Sequence, residues 1–323
     1  MAAQTRTRPY ISSRFVLELD DSGSSQYMGT LQPTEGGTFK SEPLEEKVGG
    51  NGAVIKYPGR PKFEDVTIQV GMTMAPRFWR WLAKSFSYDA QRVDGSLVAL
   101  DFDNRERWRR RFSNALIREV TFPTLDGAAK EPAYLTVKFA VESLKEEQSG
   151  SNQYPGEQQY KDEWERQRMW LPSMFTFKVD GISKDPAETC KIDGFTIKQE
   201  IIENPIGKFL ENNKEPGRVE FPNLAVTILQ RDAGPWMKWW DALVREGKHV
   251  LSQQHTGHIW FLPRDAVGSG QLQSKPLLTL DLFGVTILGL GPVKHDSKQL
   301  QLQKVKLDLA CERIDLKGGE GTV

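Results

Sequence analysis

A duplication constrains this chain more than any other feature. When the sequence is shifted by 158 residues, Pro58-Gly59-Arg60 falls on Pro216-Gly217-Arg218 and Phe63 on Phe221. Val66, Ile68 and Val70 fall on Leu224, Val226 and Ile228, while Phe78 and Trp81 fall on Trp236 and Trp239. The flanks repeat in the same order. Phe15-Val16-Leu17-Glu18-Leu19-Asp20 opens one copy and Phe175-Thr176-Phe177-Lys178-Val179-Asp180 the other. Leu135 to Glu142 closes the first and Val305 to Glu312 the second, each alternating and each ending on glutamate. A period this long means that the fold is one module used twice.

The unit has legible physics. Pro-Gly predicts a tight turn. Alternating apolar residues after it predict a half-buried strand. Phe78, Trp81 and Leu82 recur at i, i+3 and i+4, which predicts a short helix whose first turn accepts Pro76, as Pro235 is accepted in the second copy. The patterns predict strands at 14–20, 37–43, 63–71, 97–102, 107–117 and 134–144 with a helix at 76–86. In copy two they predict strands at 174–180, 192–199, 221–230, 258–263, 277–288 and 303–314 with a helix at 234–246. Strands outnumber helices, so the expected fold is mainly β (α+β): two tandem antiparallel barrel or sandwich modules, each with a flanking helix. The expected boundaries are 1–145 for module one, 146–172 for a polar linker with a short helix carrying Tyr160, Trp164 and Leu171, and 173–323 for module two. A Gly-rich tail from Lys317 is expected to fray.

Composition narrows the function. Lys+Arg and Asp+Glu each total 43, so nothing in the net charge draws the chain to nucleic acid or an anionic membrane. No apolar run reaches the roughly 20 residues that span a bilayer, and Met1 to Ser13 lacks the apolar core of a signal peptide. Cys190 and Cys311 are the only cysteines, which argues against a disulfide framework and for a reducing compartment.

Chemistry-bearing patterns are sparse. His255-Thr256-Gly257-His258 offers two ligands, with only His249 and His295 elsewhere, too few for a metal site with its supporting shell; the two histidines are expected to begin a strand. Cys311 alternates with Leu309 and reads as a small core residue rather than a nucleophile. The glycines at 268, 270, 289 and 291 lack the Lys-Ser/Thr and βαβ context of a phosphate loop. No enzyme, metal or cofactor is expected. The basic run Arg105 to Phe112 places Arg107, Arg109 and Arg111 on one strand face, expected to be solvated or to contact another subunit, with a lumen-facing strip as the other assignment; Asp101, Asp103 and Glu106 lie close enough to offset its charge.

The order of these parts resembles the tail-tube protein family of contractile-tailed phages and related injection systems. Pro58-Gly59, Val66-Thr67-Ile68, Phe78 to Trp81, Arg111 to Ala115 and Phe139 to Glu142 carry the resemblance in copy one. Pro216-Gly217, Val226-Thr227-Ile228, Trp236 to Trp240 and Leu309 to Glu312 carry it in copy two. The resemblance implies a small barrel per module, six modules per ring and rings stacked around a channel. Two modules per chain then imply a homotrimer with pseudo-sixfold symmetry, assembling with itself and with neighbouring tube, hub or sheath proteins. Such a particle is made in the bacterial cytoplasm and ends in a virion tail or injection device, with no membrane and with nucleic acid only as channel cargo. Pro58, Gly59, Arg60 and Phe63, with Pro216, Gly217, Arg218 and Phe221, are the module signature. The stretch before each Pro-Gly is implied to join stacked rings, through Glu45, Lys47 and Lys56 in one copy and Lys208, Phe209 and Leu210 in the other. A soluble β-barrel binding module or cargo adaptor is the alternative the residues leave open.

Overall fold

A computed structural model of the chain describes residues 14–21, 23–48, 53–87, 90–148, 153–156, 170–183, 189–207, 211–247, 254–263, 276–293 and 302–318. The expected linker helix, the tail beyond 318 and Lys208, Phe209 and Leu210 lie outside the described residues.

The first half runs β1 (Arg14–Asp21), β2 (Ser24–Gly36), β3 (Phe39–Val48), β4 (Ala53–Phe63), β5 (Val66–Val70), α1 (Pro76–Ser85), β6 (Val93–Leu100), β7 (Glu106–Phe122), β8 (Leu125–Asp126), β9 (Leu135–Ala140) and β10 (Ser143–Gln148). Strands β7, β6, β1, β2, β5 and β9 pair in that order, and β9 returns to β7, so the sheet closes into a barrel. All pairings are antiparallel. Closure removes the sheet edges that would otherwise seek partners. Alternation in β5 and β9 turns Val66, Ile68 and Val70 inward against Phe139, Val137 and Leu135.

The second half runs β11 (Phe175–Val179), β12 (Thr189–Ile192), β13 (Phe195–Asn204), β14 (Asn213–Glu220), β15 (Leu224–Leu229), α2 (Gly234–Trp240), β16 (His255–Phe261), β17 (Leu278–Pro292), β18 (Lys304–Ala310) and β19 (Arg313–Gly318). Its order, β11-β16-β17-β18-β15-β12, follows the first barrel strand for strand, and β19 pairs with β17 as β10 pairs with β7. The agreement reaches single residues. The long strand of each barrel breaks register at the same place, between Ile117 and Glu119 in β7 and between Ile287 and Gly289 in β17. Val120 opposite Val137 therefore corresponds to Leu290 opposite Leu307. Asn114 and Gly284 sit at equivalent points with φ of 52° and 61°, a left-handed kink that asparagine tolerates and glycine adopts freely.

Each helix packs on its own barrel through the predicted stripe. In α1, Phe78, Trp81 and Leu82 are buried, and the Trp81 ring meets Phe139 edge-on at 5.7 Å. In α2, Trp236 and Trp239 are buried, Trp236 stacks on Phe177 at 6.4 Å, and a π turn at Asp241–Arg245 extends the helix.

Three expectations need correction. Pro58-Gly59 is not a turn. It lies inside β4, opposite the register break between Ser41 and Pro43, and Pro216-Gly217 lies inside β14 in the same way. Proline is tolerated there because a bulge leaves its missing donor uncalled for. Glycine follows because a Cβ at Gly59 would sit 2.4 Å from the Glu42 carbonyl oxygen. The segments before Pro-Gly are accordingly long hairpins, β3–β4 and β13–β14, rather than loops. The polar stretch after Lys145 begins as strand: β10 runs on to Gln148 because Glu146 and Glu147 lie opposite Arg110 and Arg109 of β7 and pair with Arg110 and Arg111.

Candidate assembly interface

The two barrels are joined by more than the chain between them. Strand β13 leaves its own barrel and adds to β7 of the first, with Phe195 opposite Phe122, Thr196 opposite Thr121, Ile197 opposite Val120 and Lys198 opposite Glu119. Strand β8 adds to β12 in return, Leu125 opposite Ile192. Main-chain hydrogen bonds thus cross the junction in both directions. Beneath them the apolar core is continuous: Phe122 stacks on Phe195 at 4.8 Å and tilts against Phe261 at 6.0 Å, and Trp170 covers Phe261 at 5.5 Å.

A polar latch sits beside the strand pairing. The Glu142 carboxylate accepts the backbone N–H of Lys214 at 2.7 Å on one oxygen and the Asn114 side-chain amide at 2.6 Å on the other. Arg92 donates to the Lys214 carbonyl at 2.9 Å and pairs with Glu215 at 2.7 Å. Lys214 in turn reaches Glu203 at 3.4 Å, across the two strands of its hairpin. The glutamate that ends each copy in sequence is therefore, in the first copy, the residue that holds the second copy's hairpin.

Helix α1 completes the junction. Its outer side faces β19 of the second barrel. Trp79, absent from the predicted stripe, is buried there, and a Cβ at Gly318 would lie 2.8 Å from the Trp79 Cβ. The indole N–H donates to the Met74 carbonyl at 2.9 Å, so burial leaves no orphan donor.

The hairpin β3–β4 has no such place. Among the described residues it forms a two-stranded sheet of its own, with Phe39, Leu44, Val54, Ile55 and Tyr57 exposed. Glu45 and Lys56 pair across it at 2.9 Å, and Lys47 is exposed near its end. A ribbon this long does not hold its apolar side chains in water without something to cover them.

The basic run is absorbed within the chain. Arg107 pairs with Asp101 at 2.6 Å and Arg111 with Glu147 at 3.4 Å. Arg109 lies deepest. It bridges Glu106 at 2.8 Å and Glu18, whose other oxygen accepts the Tyr154 hydroxyl at 2.6 Å. The Glu106 and Glu18 hydrogen bonds outweigh burial and hold the Arg109 guanidinium above its ordinary range; burial, with the Glu18 charge, pushes the Tyr154 hydroxyl up. Tyr154 follows the first barrel by a few residues, so this cluster pins the start of the connection between modules.

Among the described residues no group of three or more His, Cys, Asp or Glu is placed to hold a metal ion. His255 begins β16, and His258 hydrogen-bonds Asp281 at 2.8 Å beside the Lys317–Asp281 pair at 2.6 Å. Cys311 is buried, and burial pushes its thiol up to about 12. No helix among the described residues is long and apolar enough to cross a membrane.

The first sheet is closed, and strands are exchanged in both directions between it and the second half of the chain. Residues 12–145 match the family described as T4-like virus tail tube protein gp19. No curated protein matches the chain. Solved structures that resemble it include a chain from the PVC sheath-tube complex of an extracellular contractile injection system, in the extended state. That chain is 15% identical, with 46% of this chain and 100% of that one covered at a TM-score of 0.37. A chain from the tube-terminating cap of the anti-feeding prophage is 16% identical over 46% of this chain and 95% of its own, at 0.36. A type six secretion system protein is 12% identical over 46% and 91%, at 0.29.

Proposed function

We propose that the chain is a structural ring subunit of a phage tail or contractile injection device, three copies presenting six barrels around a channel. The observation that carries this is the junction itself. One barrel already completes the next within the chain, while the first barrel's hairpin is left with its apolar side chains exposed. A contact made by unlike faces repeats head to tail and closes a ring when its rotation allows. Lys47, near the end of β3, and the Lys208 to Leu210 stretch, which in sequence joins β13 to β14, are the proposed contacts between stacked rings. Because these two ends differ in sequence, a ring with alternating edges suits a terminal or adaptor position beside tube, hub or sheath proteins.

Light scattering on the purified chain, followed by negative-stain imaging, tests the proposal. A mass near three times 36.6 kDa, or rings with a central hole, is expected. A monomer at every concentration, with no rings in the images, would overturn it.

A further inference from the structure

We infer that a second copy of this chain occupies the end of β17, Glu312 and the outer side of α2 with its own β3–β4 hairpin and β10, in the register of the junction inside one chain. The inference rests on the ring proposal and specifies its intermolecular contact residue by residue.

Each element of the internal junction has an equivalent on an open surface. Hairpin β13–β14 corresponds to β3–β4 with the same bulge, between Gln199 and Ile201 in one and between Ser41 and Pro43 in the other. Ile197 therefore corresponds to Phe39, and the Glu203–Lys214 pair to Glu45–Lys56. On the receiving side, Val120 of β7 corresponds to Leu290 of β17, Glu142 to Glu312, and Trp79 of α1 to Met237 of α2. The difference between the sets is cover. Ile197 is 0% exposed and Phe39 49%; Trp79 is 2% exposed and Met237 42%. The Lys214 side chain is 6% exposed and that of Lys56 64%. The apolar and ion-paired character of the junction is kept at both ends of the chain, where nothing within the chain covers it.

The register follows. Phe39 of one copy lies opposite Leu290 of the next, as Ile197 lies opposite Val120. Thr38 lies opposite Gly291 and Lys40 opposite Gly289. Lys198 faces Glu119, whereas Lys40, which pairs with Glu64 in its own chain, would face Gly289 beside Asp308, the residue opposite Gly289 in β18. Gly289 and Gly291 leave that edge bare, and no strand covers it among the described residues. The Glu312 carboxylate, held by Gln254 at 2.6 Å, is placed to accept the backbone N–H of Lys56, as Glu142 accepts that of Lys214. Met237 and the exposed Val244 then pack on β10 of the neighbour, as α1 packs on β19.

Cross-linking tests the register. In a Cys190→Ser, Cys311→Ala background that still assembles, Phe39→Cys with Leu290→Cys is oxidised mildly and compared with Phe39→Cys with Leu288→Cys. Directly opposed strand residues are close enough for a disulfide, and a two-residue offset is not. The expected result is interchain dimers and trimers from the 39/290 pair and at least tenfold less from 39/288. Rings that form but cross-link equally or better at 39/288 would overturn the register while leaving the ring proposal standing. A chain that never associates would overturn both. Met237→Glu and Phe39→Glu, at exposed positions, are expected to leave the circular dichroism of the monomer unchanged and to abolish association; normal association by both variants would also overturn the inference.

Discussion

Glu142 and Lys214 stand 72 residues apart in sequence and 2.7 Å apart in space, a carboxylate oxygen accepting a main-chain N–H across the junction of two barrels. The same carboxylate takes the Asn114 amide, so one side chain satisfies a kinked residue of β7 and the start of strand β14 in the second hairpin together. Glu142→Ala leaves both donors without their partner. It is expected to lower stability by about 1–3 kcal/mol, read as a shift in the urea midpoint. Cleavage near 205–212 by a dilute protease should rise in parallel. A midpoint within error of the parent would remove the latch from the account.

Trp79 and Met237 separate folding from assembly. Trp79→Ala opens a cavity between α1 and β19 and should cost about 3–5 kcal/mol. Met237→Ala removes an exposed side chain and should change monomer stability by no more than about 0.5 kcal/mol. Thermal unfolding of dilute samples measures both. Equal effects would show that the two helices are not used differently.

The cluster of Arg109, Glu18, Glu106 and Tyr154 is costly to break from its centre. Arg109→Ala strands two carboxylates in a largely buried place and is expected to lose about 3–5 kcal/mol. Tyr154→Phe removes one donor from Glu18, which keeps Arg109, and should lose about 1–2 kcal/mol. Denaturant unfolding should rank the two variants in that order, and the reverse order would contradict the geometry.

Acid should weaken the second barrel through Asp281 and Asp180. Burial tends to raise each carboxyl, but hydrogen bonds outweigh it, from Lys317 and His258 at Asp281 and from Thr256 and Lys178 at Asp180. Both end below their ordinary value of 3.8. A carboxyl depressed on folding contributes stability that is complete above its unfolded pKa and lost as pH falls through the folded one. Melting temperature should therefore drop as pH is taken below about 4, and Asp281→Asn should flatten that drop while lowering stability near neutral pH.

Thiol labelling reports the core. Burial raises both thiols, Cys311 to about 12. A disulfide reagent at pH 8 should modify Cys190 slowly in the native protein and Cys311 only after denaturant is added. Rapid reaction of both thiols without denaturant would place Cys311 outside the core.

The parts legible in the sequence were those written in a local period. Alternation in Val66 to Val70 and in Leu135 to Ala140 marked strands, and Phe78, Trp81 and Leu82 marked α1. Strand β2 escaped because its exposed polar residues and Gly29 interrupt any alternation. Pro58-Gly59 misled because the same dipeptide that closes a turn also suits a bulged ribbon strand. The junction was the least legible part. Phe195 and Ile197 announce a strand face, but nothing local says that β7 rather than their own barrel will pair with it. Trp79, off the helical stripe, was the one local signal that α1 has two buried sides.

Fusing two barrels changes the concentration terms of assembly. The second hairpin is tethered to its receptor strand, so that seam forms within one molecule, at an effective concentration on the order of millimolar for a short linker, and does not dissolve on dilution. In the proposed ring, only the seam between Phe39 and β17 would depend on protein concentration. The proposed ring of three chains then needs two encounters where six separate barrels would need five. It also alternates permanent and reversible seams, so each can change in sequence without the other.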